Sequence, residues 1–324
     1  MSKLKNLTSR HSVSILLAFF VTILWSSSWP IIKFGMQNQD LPPLIFAGMR
    51  YIIASSLLLL YVFFKPKYRK ELFSLSKKWW LKLIFYGLIF YTITQGAQFF
   101  GLLYLEAITV SLLLSFTPIL VLLFASIVLK EKANWIQIIL VLLAIGGALL
   151  YFLFNPELTT AQIQVIGLII VIVGVLANAF STIIGRSINQ SKEVSTIVIT
   201  SVSMFIGSII LLVTGLVKGL ITEDLPTFSL VSIGYILWLS VVNTAFAFTI
   251  WNFVMQKLEA LEISIINNTM LFQITILAVI FLGERPTAVQ WVGLAVVALV
   301  GMALPIIGNR KKRKNQTTQS EEEV

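Results

Sequence analysis

The chain alternates between ten long apolar stretches and short polar connections. The apolar stretches run over approximately 13–33, 42–64, 80–103, 108–129, 134–153, 163–185, 194–217, 228–254, 261–282 and 287–308. Most exceed the ~18 apolar residues from which a membrane-spanning helix is recognised. The pattern therefore predicts an all-α polytopic membrane protein with ten transmembrane helices, which we number as spans 1 to 10.

Composition supports this class and excludes several others. Hydrophobic residues make up 57% of the 324 positions and charged residues only 12%, about half the share of a soluble globular domain. Cysteine is absent, and the single histidine, His11, precedes the first span. Metal centres and catalysis based on Cys or His are therefore not expected, and no cofactor is predicted.

Basic residues are distributed very unevenly between the two sets of connections. If the N-terminus is cytoplasmic, the cytoplasmic segments hold 20 of the 24 Lys and Arg residues, and the opposite loops hold only Lys33, Lys218 and Arg285. This positive-inside pattern predicts a plasma-membrane protein with both termini cytoplasmic, namely a segment 1–12 and a charged tail 309–324. The basic residues that produce the net charge of +10 then lie along one membrane face, and this charge gives no reason to expect a nucleic-acid partner.

The first span also resembles a signal peptide, because basic residues precede it and Ser26–Ser28 follow its apolar part. Apolar character resumes at Trp29–Ile32, and no soluble domain follows. We therefore expect an uncut first helix.

An internal repeat appears when the chain is compared with itself at an offset of 153 residues. Leu105–Ala107 then matches Leu258–Ala260, Glu131 matches Glu284, and Lys33 falls on Arg186. The repeat predicts two units, 13–153 and 154–308, with five spans each. Because five is odd, the second unit starts from the opposite side of the membrane, which predicts inverted repeats with a substrate site at their interface.

Several motifs resemble the EamA family of the drug/metabolite transporter superfamily. They are Leu24–Lys33 in span 1, Pro42-Pro43 with Phe46 and Arg50 in span 2, Ser115–Pro118 with Glu131 in span 4, and Leu282–Glu284 after span 9. The resemblance implies a permease, often an exporter, for small metabolites. Leu271 stands where the repeat would place a counterpart of Pro118, so span 9 is expected to lack a proline bend.

Polar and aromatic side chains follow helical faces within the spans. Tyr91, Gln95 and Gln98 share one face of span 3, and comparable stripes occur in spans 1, 4, 6 and 9. We predict a central cavity lined mainly by spans 1, 3, 4, 6, 8 and 9. The candidate substrate-binding residues are Trp25, Ser28, Trp29, Arg50, Tyr91, Gln95, Gln98, Ser115, Asn178, Ser181, Trp251 and Asn268. The alternatives are interhelical hydrogen bonds, close packing and, for the aromatics, a position at the membrane interface.

Arg50 is the only formal charge well inside a span, and the sequence offers no deep Asp or Glu to pair with it. We hypothesise that it attracts a substrate carboxylate. The alternative is a structural Arg that binds helix-end carbonyl groups or extends towards the interface. Glu262 is a secondary candidate for binding a proton, and Glu131 and Glu284 are expected to stabilise the N-termini of spans 5 and 10.

These features favour a secondary transporter over other membrane proteins. The expected mechanism is alternating access, and the expected substrates are small metabolites such as amino acids or related amphipathic compounds. The alternatives are a channel, a receptor-like or lipid-handling protein or, less favoured, a membrane enzyme; the sequence contains no ATP-binding loop and no catalytic constellation. The expected partners are the small-molecule substrate, the lipid bilayer and a second copy bound through spans 5 and 10.

Overall fold

A computed structural model describes residues 2–128, 135–154, 162–191, 193–255, 257–258 and 260–322. All regular structure in these ranges is helical, which confirms the all-α prediction. The α-helices are α1 (Ser2–Asn38), α2 (Pro43–Phe64), α3 (Pro66–Phe73), α4 (Lys77–Gly87), α5 (Gln95–Tyr104), α6 (Ala107–Leu114), α7 (Thr117–Val128), α8 (Trp135–Leu153), α9 (Gln162–Gln190), α10 (Thr196–Thr222), α11 (Leu230–Ser240), α12 (Ala247–Met255), α13 (Ala260–Asn268), α14 (Met270–Leu277) and α15 (Ala288–Glu322). Within the described ranges, three π-helical segments lie at Leu88–Thr94, Val241–Phe246 and Ala278–Leu282, and we number them in this order.

Nine helical stretches in the described ranges are long and apolar enough to cross a bilayer. They correspond to spans 1 to 9, and spans 3, 4, 8 and 9 each combine two α-helices. The tenth apolar segment, Ala288–Leu304, is shorter and forms the first part of α15. A multi-pass membrane protein is therefore confirmed, whereas the count of ten spans stays a prediction.

The irregular points of the spans recur at the offset of the sequence repeat. The π-helical segment that begins at Leu88 in span 3 has its counterpart at Val241 in span 8, 153 residues later. Span 4 is interrupted at Ser115–Phe116, and span 9 is interrupted at Thr269, the residue that the offset places opposite Phe116. The two halves therefore share these two interruptions, whereas the described counterparts of the π-helical segment Ala278–Leu282, residues 125–128, are α-helical.

Span 9 has no proline at the counterpart of Pro118, as expected, but it is nevertheless interrupted, at Thr269. The Thr269 hydroxyl donates to the carbonyl of Ile266 at 2.6 Å, and the Thr269 amide donates to the same carbonyl at 3.1 Å. Such three-residue spacing is that of a tight 3₁₀ turn. Side-chain hydroxyls that compete for backbone carbonyls bend helices, so Thr269 supplies the interruption that Pro118 supports in span 4.

The long helices pack in pairs, α2 against α10 and α8 against α15. At the α8–α15 contact, a Cβ atom on Gly147 or Gly293 would collide with the carbonyl oxygen of the other residue. Only glycine permits helices to approach so closely. Spans 5 and 10 therefore contact each other within one chain, and the predicted dimer through them stays a prediction.

The prediction that Glu284 stabilises the N-terminus of span 10 is wrong. Its carboxylate instead accepts hydrogen bonds from the amides of Ala107 and Ile108 at 2.7 and 3.0 Å, at the start of α6. Thr287 and Gln290 cap α15 reciprocally, since each side chain accepts from the other's amide, and this leaves Glu284 free to reach span 4. Glu131 lies outside the described residues.

Candidate functional site

Arg50 lies on α2, about 12 Å along the helix from Pro42. Its side chain is buried, with 5% of the residue exposed. Its Nε–H donates to the hydroxyl of Thr244 in span 8 at 2.9 Å. Among the described residues Arg50 neither binds a helix-end carbonyl nor extends towards the interface. Its bond joins spans 2 and 8, so a structural role and a substrate-binding role both stay predictions.

Aromatic rings surround the guanidinium group of Arg50. Its central carbon lies 5.1 Å from the ring centroid of Tyr51 and 6.0 Å from that of Phe99. Both rings are within the range of cation–π attraction. Among the described residues, Thr244 provides the only hydrogen bond to Arg50, and none of their carboxylates forms an ion pair with it. The terminal nitrogens therefore keep donor capacity that a bound carboxylate could use.

Span 3 contributes the polar side chains next to Arg50. The hydroxyl of Tyr51 donates to the amide oxygen of Gln95 at 2.6 Å. Tyr91, in the first π-helical segment, meets the Tyr51 ring edge-on with centroids 5.9 Å apart. Gln98 lies one turn beyond Gln95 and is half-buried. The predicted residues Arg50, Tyr91 and Gln95 thus come together, with Tyr51 as the link that the prediction lacked.

An aromatic group lies between span 8 and α1. The ring of Trp25 in α1 is 5.3 Å from that of Phe248 and 4.9 Å from that of Trp251. Trp25 and Phe248 are half-buried, whereas Trp251 is buried. The structure therefore brings Trp25 and Trp251 together, as an apolar surface distinct from the Arg50 group. Trp29 is buried in the main hydrophobic core.

The second π-helical segment contacts both Arg50 and α1, the helix that carries Trp25. Its Thr244 contacts Arg50, and the side-chain amide of the preceding Asn243 donates to the Leu24 carbonyl and to the Ser27 hydroxyl of α1. The carbonyl oxygen of the Asn243 side chain is buried and has no hydrogen-bond partner among the described residues. Sequence analysis missed both residues, although two adjacent polar residues in an apolar span are a usable signal. Such π-helical turns are frequent at functional sites.

The family model of EamA-like transporters matches the chain twice, over residues 12–153 and 165–306. Both ends of the second match lie 153 residues after those of the first, which is the offset of the sequence repeat. This chain belongs to the EamA-like transporter family. It is therefore a multi-pass membrane transporter, and the duplication is confirmed, whereas the unit boundaries at 13–153 and 154–308 stay predictions.

Relatives of this EamA-like transporter are similar over nearly their whole length. An uncharacterized transporter of Archaeoglobus fulgidus is 24% identical over 91% of this chain and 97% of its own. Two proteins named "Probable amino-acid metabolite efflux pump" are 26% identical in Salmonella typhimurium and 25% identical in Escherichia coli, each over 92% of this chain and 96% of its own. A solved crystal structure shares the fold, with a TM-score of 0.62 at 14% identity over 93% of this chain and 98% of that chain.

The predicted serines of this transporter bond to their own helices. The hydroxyls of Ser28, Ser115 and Ser181 donate to carbonyls three residues earlier, those of Trp25, Leu112 and Asn178 respectively, at 2.5–2.8 Å. Their donor capacity is therefore already used inside the helix.

The two predicted asparagines join neighbouring spans. The side-chain amide of Asn178 donates to the hydroxyl of Thr117 in α7 at 3.0 Å, and that of Asn268 donates to the carbonyl of Gly301 in α15 at 2.9 Å. Neither bond includes Arg50 or a residue that contacts it. The contacts match the interhelical alternative, so any role in binding substrate stays a prediction.

Two further features lie at the end of the bundle that contains His11. Glu262, the secondary proton candidate, contacts His11 with 3.0 Å between carboxylate and ring nitrogen, and both side chains are partly exposed.

A groove of about 370 Å³ is lined by residues of α3, α4 and the segment before α10. Within it, the indole N–H of Trp79 donates to Glu193 at 2.9 Å. Neither feature includes a predicted substrate-binding residue.

Proposed function

We propose that this transporter moves small amphipathic metabolites that carry a carboxylate group, such as amino acids or related compounds. In this proposal the protein works by alternating access between two inverted repeats in the plasma membrane. Both termini lie in the cytoplasm, as the positive-inside pattern of the loops predicts. Arg50 binds the carboxylate, and the aromatic group on span 8 receives the apolar part of the substrate.

Arg50 is the observation that carries the proposal. A buried guanidinium is costly unless its charge is compensated. Among the described residues it has one hydrogen bond, two aromatic neighbours and no carboxylate. A substrate carboxylate would supply both the missing charge and two further acceptors, in the paired geometry that Arg favours.

The chemistry beside Arg50 supports an amphipathic rather than a highly charged substrate. Gln95 and Gln98 of span 3 offer neutral polar groups, and Trp25, Phe248 and Trp251 of spans 1 and 8 offer apolar surface. Phosphorylated substrates would require several cations, whereas Arg50 is the only charge deep in a span. The names of the Salmonella and Escherichia relatives point towards the same class of substrate.

The repeated interruptions support alternating access. Spans 4 and 9 break at equivalent places, and spans 3 and 8 carry equivalent π-helical segments. Helices that share a break can pivot about it in opposite directions, so two related halves can produce two related states.

Transport in proteoliposomes tests the proposal. We expect saturable uptake and counterflow of amino acids, but not of the corresponding methyl esters, which lack the carboxylate charge. Arg50→Gln should abolish this transport without loss of folded protein, and Arg50→Lys should retain part of it. Arg69→Gln removes an exposed arginine and is the matched control. Unchanged kinetics in Arg50→Gln would exclude the binding role, and flux without saturation or counterflow would favour a channel.

The proposed dimer has a separate test. Outward-facing apolar residues such as Leu142 on α8 and Leu299 on α15 leave surface for either lipid or a second copy. Single cysteines at these two positions should cross-link between chains if the dimer forms through spans 5 and 10. A monomer by mass after cross-linking would contradict it.

A further inference from the structure

A buried ion pair joins three elements at the end of the bundle opposite His11. The ammonium group of Lys33, near the end of α1, lies 3.2 Å from a carboxylate oxygen of Glu284, and the two side chains are 11% and 5% exposed. Lys33 also donates to the carbonyl of Leu105 at 3.3 Å. Glu284 accepts from the amides of Ala107 and Ile108, the first residues of α6. One carboxylate therefore holds the ends of spans 1 and 9 and the start of span 4 together.

The backbone conformation of the residue before Glu284 helps to place this carboxylate. Gly283 has a φ of +71°, in the left-handed region that glycine adopts readily. The Glu284 amide then donates back to the carbonyl of Ala278 at 3.4 Å, which closes the end of the third π-helical segment. The turn points the chain back towards α6.

Packing differs between the two ends of spans 4 and 9. Next to the ion pair, α6 packs against α14. Beyond the breaks the continuing segments pack on different helices, α7 against α9 and α13 against α15 and α1. Arg186, the sequence counterpart of Lys33 at the other end, is exposed. Spans 4 and 9 therefore pack on each other at the Glu284 end and on different helices towards the His11 end.

We propose that Lys33 and Glu284 form a gate that closes the extracellular end of the transport path and must separate before that end can open. This inference rests on the proposed function, because a gate has a role only in a protein that alternates between two states. Opening requires α6 to move away from α14, and the Glu284 carboxylate opposes this movement by binding the α6 amides and Lys33 at once. The two residues are positioning residues and do not touch the substrate in this proposal.

The Lys33–Glu284 pair can stabilise the closed state and still separate when the extracellular end opens. A buried carboxylate that accepts from two backbone amides at a helix N-terminus and from an ammonium group is well compensated. Breaking such a pair inside the protein is costly, whereas both charges regain hydration when the end opens to water. The pair therefore favours the closed state while the open state remains accessible.

Cysteine accessibility tests the gate in the full-length protein, since the native chain contains no cysteine. The reporter is Ser115→Cys, at the break of span 4 below the capped end of α6. The probe is a membrane-impermeant maleimide added from the extracellular side. Lys33→Met and Glu284→Gln should each raise the labelling rate about ten-fold, within the usual range of coupling between sites. Lys33→Arg keeps the charge and should label as the parent does.

Arg285→Gln is the matched control, because it removes an exposed charge next to Glu284. It should leave the labelling rate unchanged. Equal labelling in all variants would overturn the gate, provided that each elutes as folded protein. Glu284→Gln keeps an acceptor for the α6 amides and so guards against loss of folding.

Transport measured on the same Lys33 and Glu284 variants without the Ser115→Cys reporter separates the gate from the function. Faster labelling combined with an absence of amino-acid transport in the parent would retain the gate and reject the proposed substrate. Normal saturable transport combined with unchanged labelling would reject the gate and retain the function.

Discussion

Spans 3 and 8 occupy equivalent places in the two repeats but carry different chemistry. Both contain a π-helical segment, and the 153-residue offset places Tyr91 opposite Thr244. Beyond these segments, Gln95 and Gln98 of span 3 correspond to Phe248 and Trp251 of span 8. One repeat therefore lines its span with amides and the other lines it with aromatic rings.

This difference shows how a duplicated backbone can present an asymmetric site. The shared π-helical segments keep the side chains of both spans in comparable positions, whereas the residues at those positions have diverged. Thr244 of the second repeat reaches Arg50 of the first repeat, so the candidate site includes both halves. An amphipathic substrate would find a polar and an apolar surface in one such site.

The largest effect is expected from substitutions at the two equivalent π-helical residues, Thr244 and Tyr91. Thr244→Val removes the acceptor of the Arg50 Nε–H, and a hydrogen bond to a charged group contributes about 1.5–3 kcal/mol. We expect thermal unfolding in detergent to show a destabilisation of that size, together with weaker transport of carboxylates. The hydroxyl of Tyr91 makes no hydrogen bond with the described residues, so Tyr91→Phe should leave stability unchanged or slightly raised. Equal losses of stability in Thr244→Val and Tyr91→Phe would show that the two equivalent positions do not differ in this way.

An intermediate effect is expected when one span is given the side chain of the other. Trp251→Gln copies Gln98 into span 8 and removes part of the aromatic surface beside Trp25. The preference for amino acids with large apolar side chains over alanine should fall about ten-fold, as typical for the loss of apolar contact in a pocket.

The reverse exchange, Gln98→Trp, should weaken transport of all carboxylates because it places a bulky ring on the Gln95 face of span 3. Competition assays with alanine and phenylalanine measure both variants. An unchanged preference in Trp251→Gln would show that the aromatic group does not contact substrate.

The smallest expected effect concerns the link between α2 and span 3. Tyr51→Phe deletes the hydrogen bond to Gln95 but keeps the ring beside Arg50. The loss should be about 1 kcal/mol, which corresponds to a few-fold rise in the transport KM. When Gln95→Ala is added to Tyr51→Phe, the transport KM should then rise little further. A further large loss in the double variant would show that Gln95 acts independently of Tyr51.

Much of the fold could be predicted because membrane segments are long and strongly apolar. The spans and the 153-residue repeat were visible in the sequence, and Arg50 was recognised from its rarity inside a span. Thr244 and Asn243 were missed because their importance depends on a partner in another span. The serine stripes were visible, but their bonds to their own helices were not.

The sequence by itself determined the class of the protein, because the bilayer requires apolar helices. The lengths of these helices and their repeat can be recognised directly in the order of the residues. The tertiary structure decided which polar groups meet. Glu284 illustrates the difference, because its position suggested a cap for the helix that follows it, whereas its carboxylate binds α6 and Lys33. Partners separated by more than 170 residues are chosen by how helices pack, and the local sequence does not contain that information.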